Sequence, residues 1–156
     1  MKRKRGGSGS ITTGAIGTYL AAGELVRRGF IVSALSQTAK GVDILAFDAK
    51  TLWPVGIQVK ATGHRSRVYL LRAAHERIYA PGLFYVFVNL PNAAKGWPAQ
   101  FCVVPSKAVA TYVRRSHAAW LKRRSRTGAK HRDSDMRLFR DPKGRWVDRW
   151  NLLKKP

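Results

Sequence analysis

A chain of 156 residues, 45% of them hydrophobic, has the size of one domain with a real core and is too apolar to be disordered throughout. Thirty Lys and Arg against eight Asp and Glu give a formal charge of +22, and self-repulsion makes that costly in a compact fold unless a polyanion or salt offsets it. No apolar run is long enough to cross a membrane, and the lone Cys102 cannot close an internal disulfide, which excludes a spanning chain and a disulfide scaffold.

Residues 1–13 read as a basic, Gly/Ser-rich arm. Lys2, Arg3, Lys4 and Arg5 lead into Gly-Gly-Ser-Gly-Ser with no apolar segment behind them, so no secretory signal is expected and the predicted setting is reducing and cytoplasmic. From Gly14 to Arg28, Ile16, Leu20, Leu25 and Val26, spaced by Ala21 and Ala22, predict one helix that Gly29 ends. Phe30–Leu35 predicts a first strand, Val42–Phe47 a second and Val55–Ala61 a third, the last two joined as a hairpin through Asp48-Ala-Lys-Thr. A strand over Arg67–Leu71 and a short helix over Arg72–Tyr79 precede the Pro81-Gly82 break. Leu83–Leu90 is an almost unbroken apolar run, the pattern of a central strand buried on both faces. After a loop over 91–98, Gln100–Val104 is the last predicted strand. Ser106 is the expected cap of a second long helix whose buried stripe is Val109, Tyr112, Val113 and Trp120. Trp146 and Trp150 are expected to clamp the tail onto the domain. The element order predicts an α/β fold, a mixed β-sheet flanked by helices, with a basic C-terminal helical extension.

Three polar residues interrupt these strands. Asp43 stands in Gly41-Val-Asp-Ile-Leu-Ala, and burying a lone carboxylate in an apolar strand is expensive. Gln58 and Lys60 stand in Val55-Gly-Ile-Gln-Val-Lys, and residues two apart on a strand share a face. A hairpin between the two segments brings a carboxylate, an amide oxygen and an ammonium to one point. A hard divalent ion takes oxygen ligands, here Asp43, Gln58 and the Val59 carbonyl, and lowers the pKa of a bound water that Lys60 can orient or deprotonate. The plainer alternative is the ordinary alternation of a half-buried strand, Ile57-Gln-Val-Lys with its polar side in water.

The succession Arg27-Arg28-Gly29-Phe30, then Gly-Val-Asp43-Ile-Leu-Ala, then Ile57-Gln58-Val59-Lys60-Ala-Thr resembles the PD-(D/E)xK nucleases, most of all the archaeal Holliday-junction resolvases and small intron-encoded or phage endonucleases. The resemblance covers residues 14–104, which makes that span the nuclease core, with the arm over 1–13 and a basic helix and tail over 105–156 packed on it. It implies a restriction-endonuclease-like sheet, Mg²⁺ (Mn²⁺ substituting), phosphodiester cleavage in duplex or branched DNA, and a homodimer. By motif position Asp43 is the metal-binding acid, Gln58 takes the (D/E) place and Lys60 is the lysine. The chain departs from the pattern in having Gly-Val-Asp for Pro-Asp and a Gln for the second acid. Where resolvases carry a helix glutamate it has Thr18, with Glu24 as the only acid of the helix.

The stretch Arg114–Arg132 holds eight Lys or Arg and no acid. Arg114, Arg115, Lys122, Arg123, Arg124, Arg126, Lys130 and Arg132, with His64, Arg65 and the arm at Lys2–Arg5, are the expected phosphate-tracking surface; a solvated helix face is the alternative. His131-Arg-Asp133-Ser-Asp135 reads as polar surface, and zinc is not indicated. Three other functions stay open: a site-specific endonuclease of the homing or restriction type, a nucleic-acid-binding module that lost its chemistry, and a basic architectural protein without a site.

Overall fold

The computed structural model describes residues 8–35 and 41–155. Helix α1 (Ser8–Arg27) starts well before the expected Gly14, inside the segment read as an arm. It ends where predicted: Gly29, at φ +84°, takes the left-handed conformation that L side chains rarely adopt, and the chain turns into β1 (Phe30–Ala34). Strands β2 (Ile44–Asp48) and β3 (Pro54–Thr62) form the expected antiparallel hairpin, with Ile44 opposite Ile57 and Phe47 opposite Pro54. Asp48 organises its turn, the Oδ1 accepting from the backbone N–H of Lys50 at 3.0 Å and of Thr51 at 2.9 Å.

β4 (Val68–Arg72) is followed by only a single 3₁₀ turn over Ala73–Glu76 where a helix to Tyr79 was predicted. β5 (Leu83–Asn89) runs parallel to β3, and β6 (Gln100–Pro105) pairs antiparallel with β5. The five-stranded sheet has the order β1-β2-β3-β5-β6. Helix α2 (Ser106–Lys122) then crosses the sheet, and β7 (Met136–Arg140), a strand the sequence did not reveal, pairs with β4 as a separate two-stranded sheet. This mixed sheet flanked by helices is the predicted α/β class.

The two faces of the sheet carry two cores. On one, Ala21 and Leu25 of α1 pack on Ile44, Val55, Ile57, Val59, Val86 and Val88, with Trp150 and Leu153 of the tail closing the cluster. On the other, Val109 and Val113 of α2 meet Tyr85, Phe87, Val104, Tyr69 and Phe139. β5 supplies both, which is why its sequence is apolar without alternation. Phe87 stacks on Phe139 at 4.6 Å and lies 4.5 Å from Tyr69, fixing the small sheet against the large one. α1 sits very close to β3: a Cβ at Gly17 would fall 2.4 Å from the Ala61 Cβ.

Several side chains differ from their predicted roles. Ser106 is not a helix cap; buried, its hydroxyl bonds the Ala80 N–H and carbonyl, both at 3.2 Å, and Pro105 precedes the helix instead. Trp120 is not core. It is 39% exposed and stacks on His131 at 4.0 Å. Trp150 does clamp the tail, buried against Phe101 with Arg28 over its ring at 5.0 Å. Cys102 is buried beside the Tyr69 hydroxyl, and burial pushes its thiol up to about 11. No described helix is long and apolar enough to cross a membrane.

Candidate active site

β2 and β3 stay in register only as far as the pair Ile44–Ile57, and β3 continues alone to Thr62 on that side. Asp43 stands at this divergence. Its backbone is held from both sides, its N–H donating to the Ile57 carbonyl at 2.8 Å and its carbonyl accepting from Leu35 at 2.9 Å. Its carboxylate accepts the Val59 N–H at 2.6 Å, pairing a β3 donor that lies beyond the last β2 partner. The carboxylate is thus fixed beside β3 rather than left on a mobile loop.

Strand alternation does the rest. Val55, Ile57 and Val59 belong to the α1 core, so Gln58 and Lys60 project from the opposite face, with Tyr85 the register partner of Gln58 and Phe87 that of Lys60. Gln58 is 7% exposed and its Oε1 has no hydrogen-bond partner. The Tyr85 hydroxyl beside it is also buried without a partner. Burial lowers the Lys60 pKa, with the Arg72 charge acting in the same sense and the nearby Asp43 carboxylate opposing both. Burial likewise raises the Tyr85 pKa, and the Asp43 charge adds to it. The structure therefore brings Asp43, Gln58 and Lys60 together.

Lys60 opens into a cavity of about 350 Å³ whose far wall is the small sheet and its turn, through Arg72, His75, Asp135 and Met136. Sequence reasoning missed His75 and Tyr85. His75 lies in a 3₁₀ turn that reads as ordinary helix, and Tyr85 in an apolar strand; its position opposite Gln58 was the available signal. A second cavity of about 480 Å³, lined by Tyr112, His117, Trp120, Arg123 and Arg140 among others, adjoins the first through Met136.

The helix residues are engaged elsewhere. Thr18 donates to the Gly14 carbonyl one turn back at 3.1 Å, and Glu24 is paired at 2.7 Å with both Arg27 and Arg28, which lower its pKa. Among the described residues no group of three or more His, Cys, Asp or Glu can hold a metal ion. A cation here would rest on one carboxylate plus amide and backbone oxygens. The unpartnered Gln58 Oε1 fits that requirement, since a buried amide oxygen lacking a donor can satisfy itself on a cation.

Lys2, Arg3, Lys4 and Arg5 lie outside the described residues. His64 and Arg65 are exposed just past β3, with Arg65 over the Trp97 ring at 5.6 Å. Arg114 and Arg115 are exposed on α2, Lys122 ends it, and Arg123, Arg124, Arg126, Lys130 and Arg132 follow on an exposed loop that Arg124 tightens through the Gly128 carbonyl. Asp133 and Asp135 are held by His117 and Arg72, at 2.7 and 3.4 Å.

No protein-family profile matches the chain, and no curated protein matches it in sequence. Its fold is similar to that of a bacterial homing endonuclease, I-Ssp6803I, over 92% of this chain and 90% of that one, with a TM-score of 0.53 and 13% sequence identity. At that identity the likeness is one of fold.

Proposed function

We propose that this chain is a divalent-metal-dependent DNA endonuclease of the PD-(D/E)xK kind, with Asp43, Gln58 and Lys60 at its cutting site. One observation carries the reading: where β2 and β3 separate, a carboxylate is fixed on the Val59 N–H, and the residues on either side of Val59 supply an unpartnered buried amide oxygen and a partly desolvated ammonium that feels the Asp43 charge. Asp43 and Gln58, with the Val59 carbonyl as third oxygen, are the residues that would hold Mg²⁺ or Mn²⁺. When bound, the ion acidifies a coordinated water and offsets charge on the phosphoryl oxygens. Lys60 orients the attacking water, and burial, by lowering its pKa, favours a share in removing the proton. Attack by water is direct, with no covalent intermediate. The exposed cations of α2 and its following loop grip the phosphates, positioning DNA without reading its sequence.

Two features of the molecule refine the proposal. The fold likeness to a homing endonuclease across nearly the whole chain favours site-specific cutting of duplex DNA over a preference for four-way junctions. The exposed side chains Ile31, Leu45 and Phe47 share one face of β1 and β2, an apolar patch that supports a homodimer.

The test is incubation with linear duplex, single strand, fork and four-way junction, with and without Mg²⁺ or Mn²⁺. Wild type is expected to cut only with metal. Lys60→Ala should abolish cutting while leaving DNA affinity within a few-fold. A wild type that binds every DNA and cuts none is a binding module, and the proposal is then wrong.

A further inference from the structure

We infer that the cavity beside Lys60 is a phosphate subsite, in which the Nε2–H of His75 touches the substrate together with Lys60 and Arg72. This rests on the nuclease reading and extends it to residues outside the metal-binding set. His75 is 7% exposed and lines the cavity. As the third residue of the 3₁₀ turn it reaches back to the residue before that turn, its Nδ1 accepting from the Arg72 N–H at 3.1 Å. The Arg72 carbonyl lies equally near, but a buried N–H tolerates the loss of its partner less well than a carbonyl does. With Nδ1 accepting, the proton of the neutral ring sits on Nε2, and Nε2 is buried without a partner. Burial keeps the ring neutral, so it is a donor without bringing further charge.

The other polar groups of the cavity complete the picture. Lys60 and Arg72 contribute cations, and the one acid, Asp135, holds Arg72 loosely at 3.4 Å with both side chains largely exposed. The three residues Lys60, Arg72 and His75 line one space and each carries a donor, which calls for an anion, and a phosphodiester oxygen can replace Asp135 on Arg72 as it takes the Nε2–H. No proton leaves His75. It binds a non-bridging oxygen of the phosphate and steadies it beside Lys60.

Two substitutions separate this role from simple capping of the turn. Asn puts its amide where Nδ1 lies and so keeps the Arg72 contact alone, whereas Gln puts its amide where Nε2 lies. In the full chain with duplex DNA and Mg²⁺, His75→Gln should retain cleavage within about threefold, while His75→Asn should keep its melting temperature and lose about 10²-fold in kcat. The reverse order, or equal activity in both, overturns the subsite. A metal-free arm reads the ring directly: the ¹H–¹⁵N spectrum of wild type should show the Nε2–H tautomer, with Nε2 shifting when a short duplex is added. An unshifted Nε2 overturns the subsite whatever the variants do. If Nε2 shifts while wild type cuts no DNA under any metal, the nuclease reading fails and the phosphate subsite stands.

Discussion

The Asp43 carboxylate accepts a 2.6 Å hydrogen bond from the Val59 N–H, so the acid proposed to hold metal also ties β2 to β3 where their ladder ends. Asp43→Asn and Asp43→Ala should therefore part company in stability and agree in activity. Ala leaves the Val59 donor unpaired and is expected to cost about 1–3 kcal/mol, whereas Asn keeps an acceptor and costs less. Both remove the charged ligand and should cut DNA at less than about one hundredth of the wild-type rate. Denaturant unfolding beside a cleavage assay decides it, and an active Asn variant would remove Asp43 from the metal site.

Gln58→Glu restores the acid that the nuclease pattern carries. In this chain it sets a second carboxylate beside Asp43 on a side chain that is 7% exposed, so the metal-free variant should melt below wild type. Divalent ion should then recover the loss, by about 2.7 kcal/mol at a concentration one hundred times the dissociation constant. Thermal melts across a Mg²⁺ titration give the answer. A melting temperature indifferent to Mg²⁺ would place the ion elsewhere.

The hairpin and its trio were legible because strand alternation assigns faces without further knowledge: once Ile57 and Val59 point into a core, Gln58 and Lys60 point away from it. The unbroken apolar run of β5 likewise announced burial on both sides. β7 was hidden by its own composition. Arg137, a charge at its second position, is 6% exposed, paired with Glu76 and bonded to the Ser134 carbonyl, so the strand never shows a polar–apolar rhythm. The stripe on α2 was extended about two turns too far, from Val113 to Trp120, because periodicity records which residues share a face, not how far along the helix that face is covered. His75 stayed invisible for a related reason: its partner is backbone, and backbone carries no signature in sequence.

Gly17→Ala tests the packing of α1. The added methyl would meet the Ala61 Cβ at 2.4 Å, and Ala61 adjoins Lys60 on β3. Helix propensity favours Ala over Gly, yet the overlap should win and destabilise by about 1–3 kcal/mol, with the helix displaced from β3. A more stable variant would show that the helix has room to move.

Burial holds the His75 pKa below its ordinary 6.5. Between those two values the unfolded chain takes up a proton that the folded one refuses, so stability falls as pH drops below 6.5 and is recovered above it. His75→Gln removes this source, and its melting temperature should depend less steeply on pH across that window. Slopes rather than absolute midpoints are to be compared, and parallel slopes would contradict a buried neutral ring.

With a formal charge of +22, DNA binding should depend steeply on salt. If about six phosphates are engaged, affinity falls by about 10³-fold between 50 and 200 mM salt, and neutralising Arg123, Arg124 and Arg126 together should flatten that dependence. An unchanged slope would put the grip on another surface.

β7 completes the wall of the hollow from a distant part of the chain. Asp43, Gln58 and Lys60 precede Met136–Arg140 in the chain, and without that later strand Phe87 has no Phe139 to lie against and the hollow beside Lys60 lacks the Asp135–Met136 side of its wall. A chain halted in the basic loop would hold all three side chains of the proposed site beside a hollow that lacks one wall, and on the proposed function such a chain should leave DNA uncut.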